Sequence, residues 1–160
     1  MIEIKIPGLR TLRVQTLVLD FNGTLACDGA LLPGVAVRLC ELSKNLDIVV
    51  VTADTYGTAG AALEGLPVTI GNLAERVSPS VDEDEAKARL VRSLKPDVVF
   101  IGNGRNDAPA MRAAALGIVL VQAECAATAA LVAADIVSPS IESGLDLLLK
   151  PKRLVATLRV

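Results

Sequence analysis

Three apolar runs in this chain stop on residues that can do chemistry. Leu17-Val18-Leu19 ends on Asp20, and Phe21-Asn22-Gly23-Thr24 follows at once. Ile48-Val49-Val50-Val51 ends in Thr52-Ala53-Asp54, and Val98-Val99-Phe100-Ile101 ends in Gly102-Asn103-Gly104-Arg105-Asn106-Asp107. The chain has no histidine, which removes Ser-His-Asp, Cys-His and His-metal chemistry. Any catalysis must run on carboxylates, Lys, Thr and Ser. Each group also has a plain reading. Asn22-Gly23 is a strong turn signal that Asp20 would merely open, Asp107 before Ala108-Pro109 suits a helix N-cap, and Thr52 can bond its own turn.

The elements that would position these residues are legible from periodicity. An apolar run without alternation reads as a strand buried on both faces, as in a parallel sheet. Strands are expected at 2–6, 11–19, 48–51, 68–70, 98–101, 117–121 and 135–137. Helices are expected from Val35 through Leu46, at 56–64, from Asp82 to Pro96, from about 108 to 116, and at 124–133 and 140–149. Residues 26–33 read as a loop or small flap, 71–81 as a loop, and the tail from Pro151 as helical or extended packing. Asp82 with Glu85 resembles a capping box. Alternating strands and helices give an α/β class, a doubly wound, Rossmann-like, mainly parallel sheet in one domain over residues 1–160. Right-handed crossovers then bring the three polar strand ends to one edge, where open α/β sheets bind ligands.

With these motifs in order, the chain resembles the haloacid dehalogenase superfamily of phosphotransferases, and specifically the phosphorylation domain of P-type ATPases. Asp20-Phe21-Asn22-Gly23-Thr24 is similar to the first motif and Thr52-Ala53-Asp54 to the Thr-Gly-Asp of the pumps. Lys87, followed by Leu90-Val91 and Leu94, is similar to the third motif. Gly102-Asn103-Gly104-Arg105-Asn106-Asp107-Ala108-Pro109-Ala110 is similar to the Gly-Asp-Gly-x-Asn-Asp-Ala-Pro-Ala of the pumps. The resemblance implies Asp20 as the nucleophile that becomes an aspartyl phosphate. It implies Mg²⁺ held by Asp20, the carbonyl of Asn22, Asn103 and Asp107. Thr52, Lys87, Asn106 and the backbone of Gly23, Thr24 and Ala53 would meet the phosphoryl group. Lys87 also sits four residues after Glu83, as a surface helix pair would. Asp54 stands outside the implied catalytic set, and Arg105 reads equally as a solvated side chain or a substrate contact.

Two residues depart from the pattern. Asn22 stands where phosphatases of the superfamily carry an acid/base Asp, and Asn103 stands where an Asp usually meets the metal. The reading is therefore a Mg²⁺-dependent phosphatase or phosphotransferase, slowed at Asn22, acting on a small phosphorylated substrate. The alternative is a catalytically weak phosphoryl-binding or interaction module of the same fold. The short spacing from Asp20 to Thr52 and from Thr52 to Lys87 leaves no room for a cap domain. An open site of that kind implies a homo-oligomer, dimer or tetramer.

Composition narrows the rest. Hydrophobic residues make up 52% and aromatic residues 2%, so the core must be aliphatic. Sixteen basic and 18 acidic residues are interspersed, which argues against a nucleic-acid partner. The three cysteines form no paired motif, so reduced thiols and a cytoplasmic setting are expected. The apolar stretch 113–123 is too short to span a bilayer, so no membrane partner is expected.

Overall fold

The computed structural model describes residues 1–52, 58–72, 82–94 and 97–160. The expected positions Ala53, Asp54 and Pro96, and most of the loop 71–81, lie outside them. The described elements run β1 (Ile2–Ile6), β2 (Arg10–Asp20), β3 (Ala26–Cys27), β4 (Ala30–Leu31), α1 (Val35–Leu42), β5 (Asp47–Thr52), α2 (Thr58–Ala62), β6 (Thr69–Asn72), α3 (Glu83–Ser93), β7 (Asp97–Gly102), a 3₁₀ turn (Arg105–Asp107), α4 (Ala108–Ala113), β8 (Leu116–Leu120), α5 (Thr128–Ala133), β9 (Ile136–Ser138), α6 (Ile141–Leu149) and α7 (Pro151–Leu158).

The main sheet has the order β6-β5-β2-β7-β8-β9, every one of these pairs parallel. The eleven-residue β2 pairs with three strands, β7 among them from Val14↔Asp97 to Leu19↔Ile101. Its first half pairs antiparallel with β1, from Ile6↔Arg10 to Ile2↔Val14, and its second half pairs with β5, from Thr16↔Asp47 to Asp20↔Val51. The result is an α/β doubly wound sheet with helices on both faces. Between β2 and α1 lies only the β3–β4 hairpin, so the flap expected at 26–33 is a two-stranded ribbon. Its turn residues Asp28 and Gly29 both have positive φ, 50° and 77°, as a two-residue type I′ turn requires.

Side-chain alternation along β2 decides which helices see the site. Leu17, Leu19 and Phe21 enter one core with Leu39 of α1 and Leu145 of α6. Val18 enters the other with Leu90 and Val91 of α3, Phe100 of β7 and Met111 of α4. Asp20 is in phase with Val18, so its carboxylate emerges on the α3 side.

Several expectations change, among them the ends of α1, at Leu42 and not Leu46, and of α4, at Ala113 and not about 116. The capping box at the start of α3 does not form: Asp82 makes no side-chain cap bond, and Glu85 instead pairs with Arg89 at 3.2 Å and Arg92 at 3.1 Å, away from the helix start. The helix expected from 124 begins at Thr128, because Cys125 takes a positive φ of 62°, a left-handed conformation that breaks a helix. Residues 121–127 form a loop instead. No helix among the described residues is long and apolar enough to cross a membrane.

Candidate active site

At the carboxyl edge of the sheet, β2, β5 and β7 deliver Asp20, Thr52 and Asn103. Thr52 is buried at the end of β5. Lys87, from the middle of α3, is 1% exposed and lies beneath this edge. Its Nζ donates to Asp20 Oδ1 and to Asp107 Oδ1, both at 2.7 Å, and sits 3.4 Å from Glu83 Oε1. The pairing with Glu83 exists, but as the outermost contact of a buried ammonium, not as a surface pair.

Asp107 does not cap α4 with its side chain. Its carboxylate turns back to the end of β7, where Oδ2 accepts the amides of Asn103 at 3.0 Å and Gly104 at 2.8 Å. Gly102 makes room for it: a Cβ there would stand 2.5 Å from Asp107 Oδ2. Two backbone amides and an ammonium fix the orientation of this buried side chain through charge-assisted bonds.

The electrostatics of the cluster are unbalanced, with two carboxylates against one ammonium. Burial first, then the neighbouring Asp107, pushes the Asp20 carboxyl up from 3.8 to about 7, against the pull of Lys87 and of the Phe21 amide. Burial alone would lower the Lys87 ammonium, but the attraction of Asp20 and Asp107 outweighs it and raises it above its ordinary range.

The turn after Asp20 is wound on one oxygen. The amides of Thr24, Leu25 and Ala26 all reach the Phe21 carbonyl, at 3.2, 2.8 and 3.0 Å, and the Gly23 amide donates to Ala26 O at 2.8 Å. The amides of Gly23 and Thr24, expected to meet a phosphoryl group, are thus donated within the turn. Gly23 is dictated twice, by its φ of 74° and by Asn103, whose amide nitrogen would stand 2.4 Å from a Cβ. Asn22 is exposed at the tip of the turn. The Thr24 hydroxyl is buried without a partner.

Asn103 holds a neighbouring loop: its Nδ2 donates to Cys125 O at 3.0 Å and its carbonyl accepts from Ala127 N at 2.9 Å. Asn106 reaches Glu83 Oε1 at 2.8 Å. Together with Asp82, Asp84 and Arg105 they line an open recess of about 430 Å³. Sequence reasoning missed Gln122, whose side chain bonds the backbone of Gly23, Thr24 and Ile141. No local motif marks it; only the contact between the β8 loop and the Asp20 turn reveals it.

No family model matches the sequence. Solved structures decide the fold. The 3-deoxy-D-manno-octulosonate 8-phosphate phosphatase of Moraxella catarrhalis, in complex with magnesium, phosphate and a KDO molecule, superposes with a TM-score of 0.66 at 15% identity, over 91% of this chain and 94% of that one. The chain shares the fold of solved hydrolases of the haloacid dehalogenase superfamily. A zinc-transporting PIB-type ATPase in its E2.Pi state matches with a TM-score of 0.58 at 26% identity, over 79% of this chain and 20% of the pump. Among sequence relatives, an uncharacterized protein of Methanocaldococcus jannaschii is 38% identical over 82 residues, 48% of this chain and 88% of that protein. The copper-exporting P-type ATPase of Staphylococcus saprophyticus is 29% identical over 139 residues, 86% of this chain but 16% of the pump. The neighbours of this haloacid dehalogenase fold are therefore hydrolases of the phosphatase type and the catalytic portion of ion pumps.

Proposed function

We propose that the chain is a Mg²⁺-dependent phosphotransferase of the phosphatase type that works through an aspartyl phosphate on Asp20. The observation that carries this reading is the buried Asp20–Lys87–Asp107 cluster at the carboxyl edge of the sheet. A lysine bridging two carboxylates in the core is a poor stabilising device, because desolvation offsets much of the attraction. The cluster makes better sense as a preorganised field for an incoming anion.

The donors fit a hard divalent cation. Asp20, Asp107, the Asn103 amide and the Asn22 carbonyl offer oxygens only, as Mg²⁺ prefers, and the cluster's excess negative charge calls for a cation. These four residues would hold it, and when bound it would neutralise the phosphate and keep Asp20 ionised. The chain's own residues do the rest. A carboxylate oxygen of Asp20 forms the new P–O bond while the bond to the leaving group breaks and the leaving group departs with its electron pair. Lys87 offsets the charge on the phosphoryl oxygens, and the Thr52 hydroxyl donates a hydrogen bond to one of them. Release then requires water to attack phosphorus, giving up a proton to bulk solvent, while the Asp20–phosphorus bond breaks and the carboxylate is restored. Asn22 can hydrogen-bond that water but cannot take its proton at neutral pH. The second step is therefore the slow one, and good leaving groups, as in acyl phosphates, suit the first. The working form is proposed to be a dimer or tetramer, in the cytoplasm, acting on a small phosphorylated molecule.

Intact-mass spectrometry after incubation with acetyl phosphate and Mg²⁺ tests the reading. One phosphoryl group is expected on the wild type and none on Asp20→Asn. No adduct on the wild type, with no gain in phosphate release for Asn22→Asp, would favour a phosphoryl-binding module instead.

A further inference from the structure

We infer that Gln122 is a positioning residue for the Asp20 turn, a role that rests on the proposed transfer to Asp20. Gln122 follows β8 and belongs to neither the Asp20 strand nor the Asn103 strand. Its Nε2 donates to Gly23 O and to Thr24 O, both at 2.9 Å. Its Oε1 accepts the Ile141 amide at 2.8 Å. Ile141 opens α6, where the first amides have no partner within the helix. One side-chain amide thus engages its nitrogen twice and its oxygen once, all with backbone from two distant segments.

The geometry has a mechanical consequence. A peptide unit is planar, so fixing a carbonyl fixes the amide on its other side. Holding Gly23 O aims the Thr24 amide, and holding Thr24 O aims the Leu25 amide. Both amides converge on Phe21 O, the carbonyl directly after the nucleophile. Gln122 therefore sets the winding of the turn that carries Asp20 and the Asn22 carbonyl. The same loop grips the other strand end, since Cys125 O accepts from Asn103 Nδ2 and Ala127 N donates to Asn103 O. Gly23 and Asn103 are in close approach. The 121–127 loop is a brace between the two strand ends that would share the metal, and Gln122 is its only side chain bonded to the Asp20 turn among the described residues.

Gln122→Leu removes both kinds of bond. Gln122→Glu keeps the shape but turns a carboxylate oxygen toward two carbonyls, and protonation restores one donor. Two readouts are taken on the full chain, with circular dichroism confirming the fold. Hydrogen exchange at the amides of 23–26 is expected to speed up at least about tenfold in both variants, as loss of such bonds implies. Phospho-Asp20 formation from acetyl phosphate is expected to slow at least about tenfold, through the rate constant and not the KM for acetyl phosphate. For Gln122→Glu the deficit, taken against wild type at the same pH, should shrink from pH 8 to pH 5. If Gln122→Leu does not fold, the isosteric Gln122→Glu decides alone. Unchanged exchange at 23–26 would overturn the inference, as would faster exchange with an undiminished rate of phosphorylation. If the wild type forms no adduct, the transfer reading fails by itself, and the positioning of Asp20 for transfer falls with it; faster exchange would then leave Gln122 as a brace of the turn alone.

Discussion

Asp20→Asn should make the metal-free protein more stable at alkaline pH while abolishing phosphorylation. In the fold, burial and Asp107 hold the Asp20 carboxyl at about 7, against an ordinary 3.8. Below about pH 4 the carboxyl is protonated in both folded and unfolded chains, and its burial carries no charge penalty. Between about 4 and 7 the unfolded chain ionises first, so stability falls as pH rises; above about 7 the full penalty is present. A shift from 3.8 to about 7 corresponds to roughly 4 kcal/mol at 1.36 kcal/mol per pH unit. The pull of Lys87 is already contained in that shift; the Asn side chain brings an NH₂ group into a buried site built for a carboxyl, which takes back about 1–3 kcal/mol. A net gain of about 1–3 kcal/mol at pH 8 is expected, or a rise in Tm of about 2–12 °C for a domain of this size. Lys87 keeps its bond to Asp107 at 2.7 Å in the variant, so no buried ammonium is left unpaired. Thermal unfolding of wild type and variant in EDTA, from pH 5 to pH 9, is the assay. The Tm difference should grow across the interval from 5 to 8 and then level. A difference independent of pH, or a variant less stable at pH 8, would refute the premise that Asp20 is a destabilising buried charge in the metal-free fold.

Asn22→Asp should raise phosphate release about 10²–10⁴-fold, the usual worth of a positioned acid or base, and shorten the life of the phospho-Asp20 species, both followed by quenched-flow phosphate assay. Lys87→Met leaves two buried carboxylates facing each other, so a loss of about 3–5 kcal/mol is expected in urea unfolding at pH 8, with a smaller loss at pH 5. Asn103→Asp should tighten Mg²⁺ binding in titration calorimetry by adding a charged ligand, while losing the bond to Cys125 O and hence about 1 kcal/mol of stability. Light scattering at micromolar concentration should report a dimer or tetramer; a monomer would remove the homo-oligomer proposal.

The sheet was legible because its strands are short apolar runs that stop abruptly, a pattern fixed by burial on both faces. Asp20, Thr52 and Asn103 fall at strand ends for that reason alone, and the alternation of Leu17, Val18 and Leu19 already says that Asp20 faces the helix on the Val18 side. Lys87 was legible only through the motif: by spacing it is as good a partner for Glu83 as for anything else, and only the packing of α3 on Val18 and Val51 buries it under the strand ends. The contacts that the sequence does not foretell have separate physical reasons. Gly23 and Thr24 were expected to present amides to a ligand, but a chain reversing this tightly must satisfy its own donors, and Phe21 O and Ala26 O take them. Asn106 belongs to the 3₁₀ turn, and its amide donates to Glu83 in the first turn of α3, a partner that no local motif announces. Gln122 was invisible because its partners are backbone atoms of residues 98 to 99 positions earlier and 19 later, and backbone acceptors leave no mark in a sequence. Strand ends place the reacting groups, while contacts between the loops fix their orientation. In this fold those orienting contacts come from the loop at residues 121–127, through Gln122 to the Asp20 turn and through Cys125 and Ala127 to Asn103.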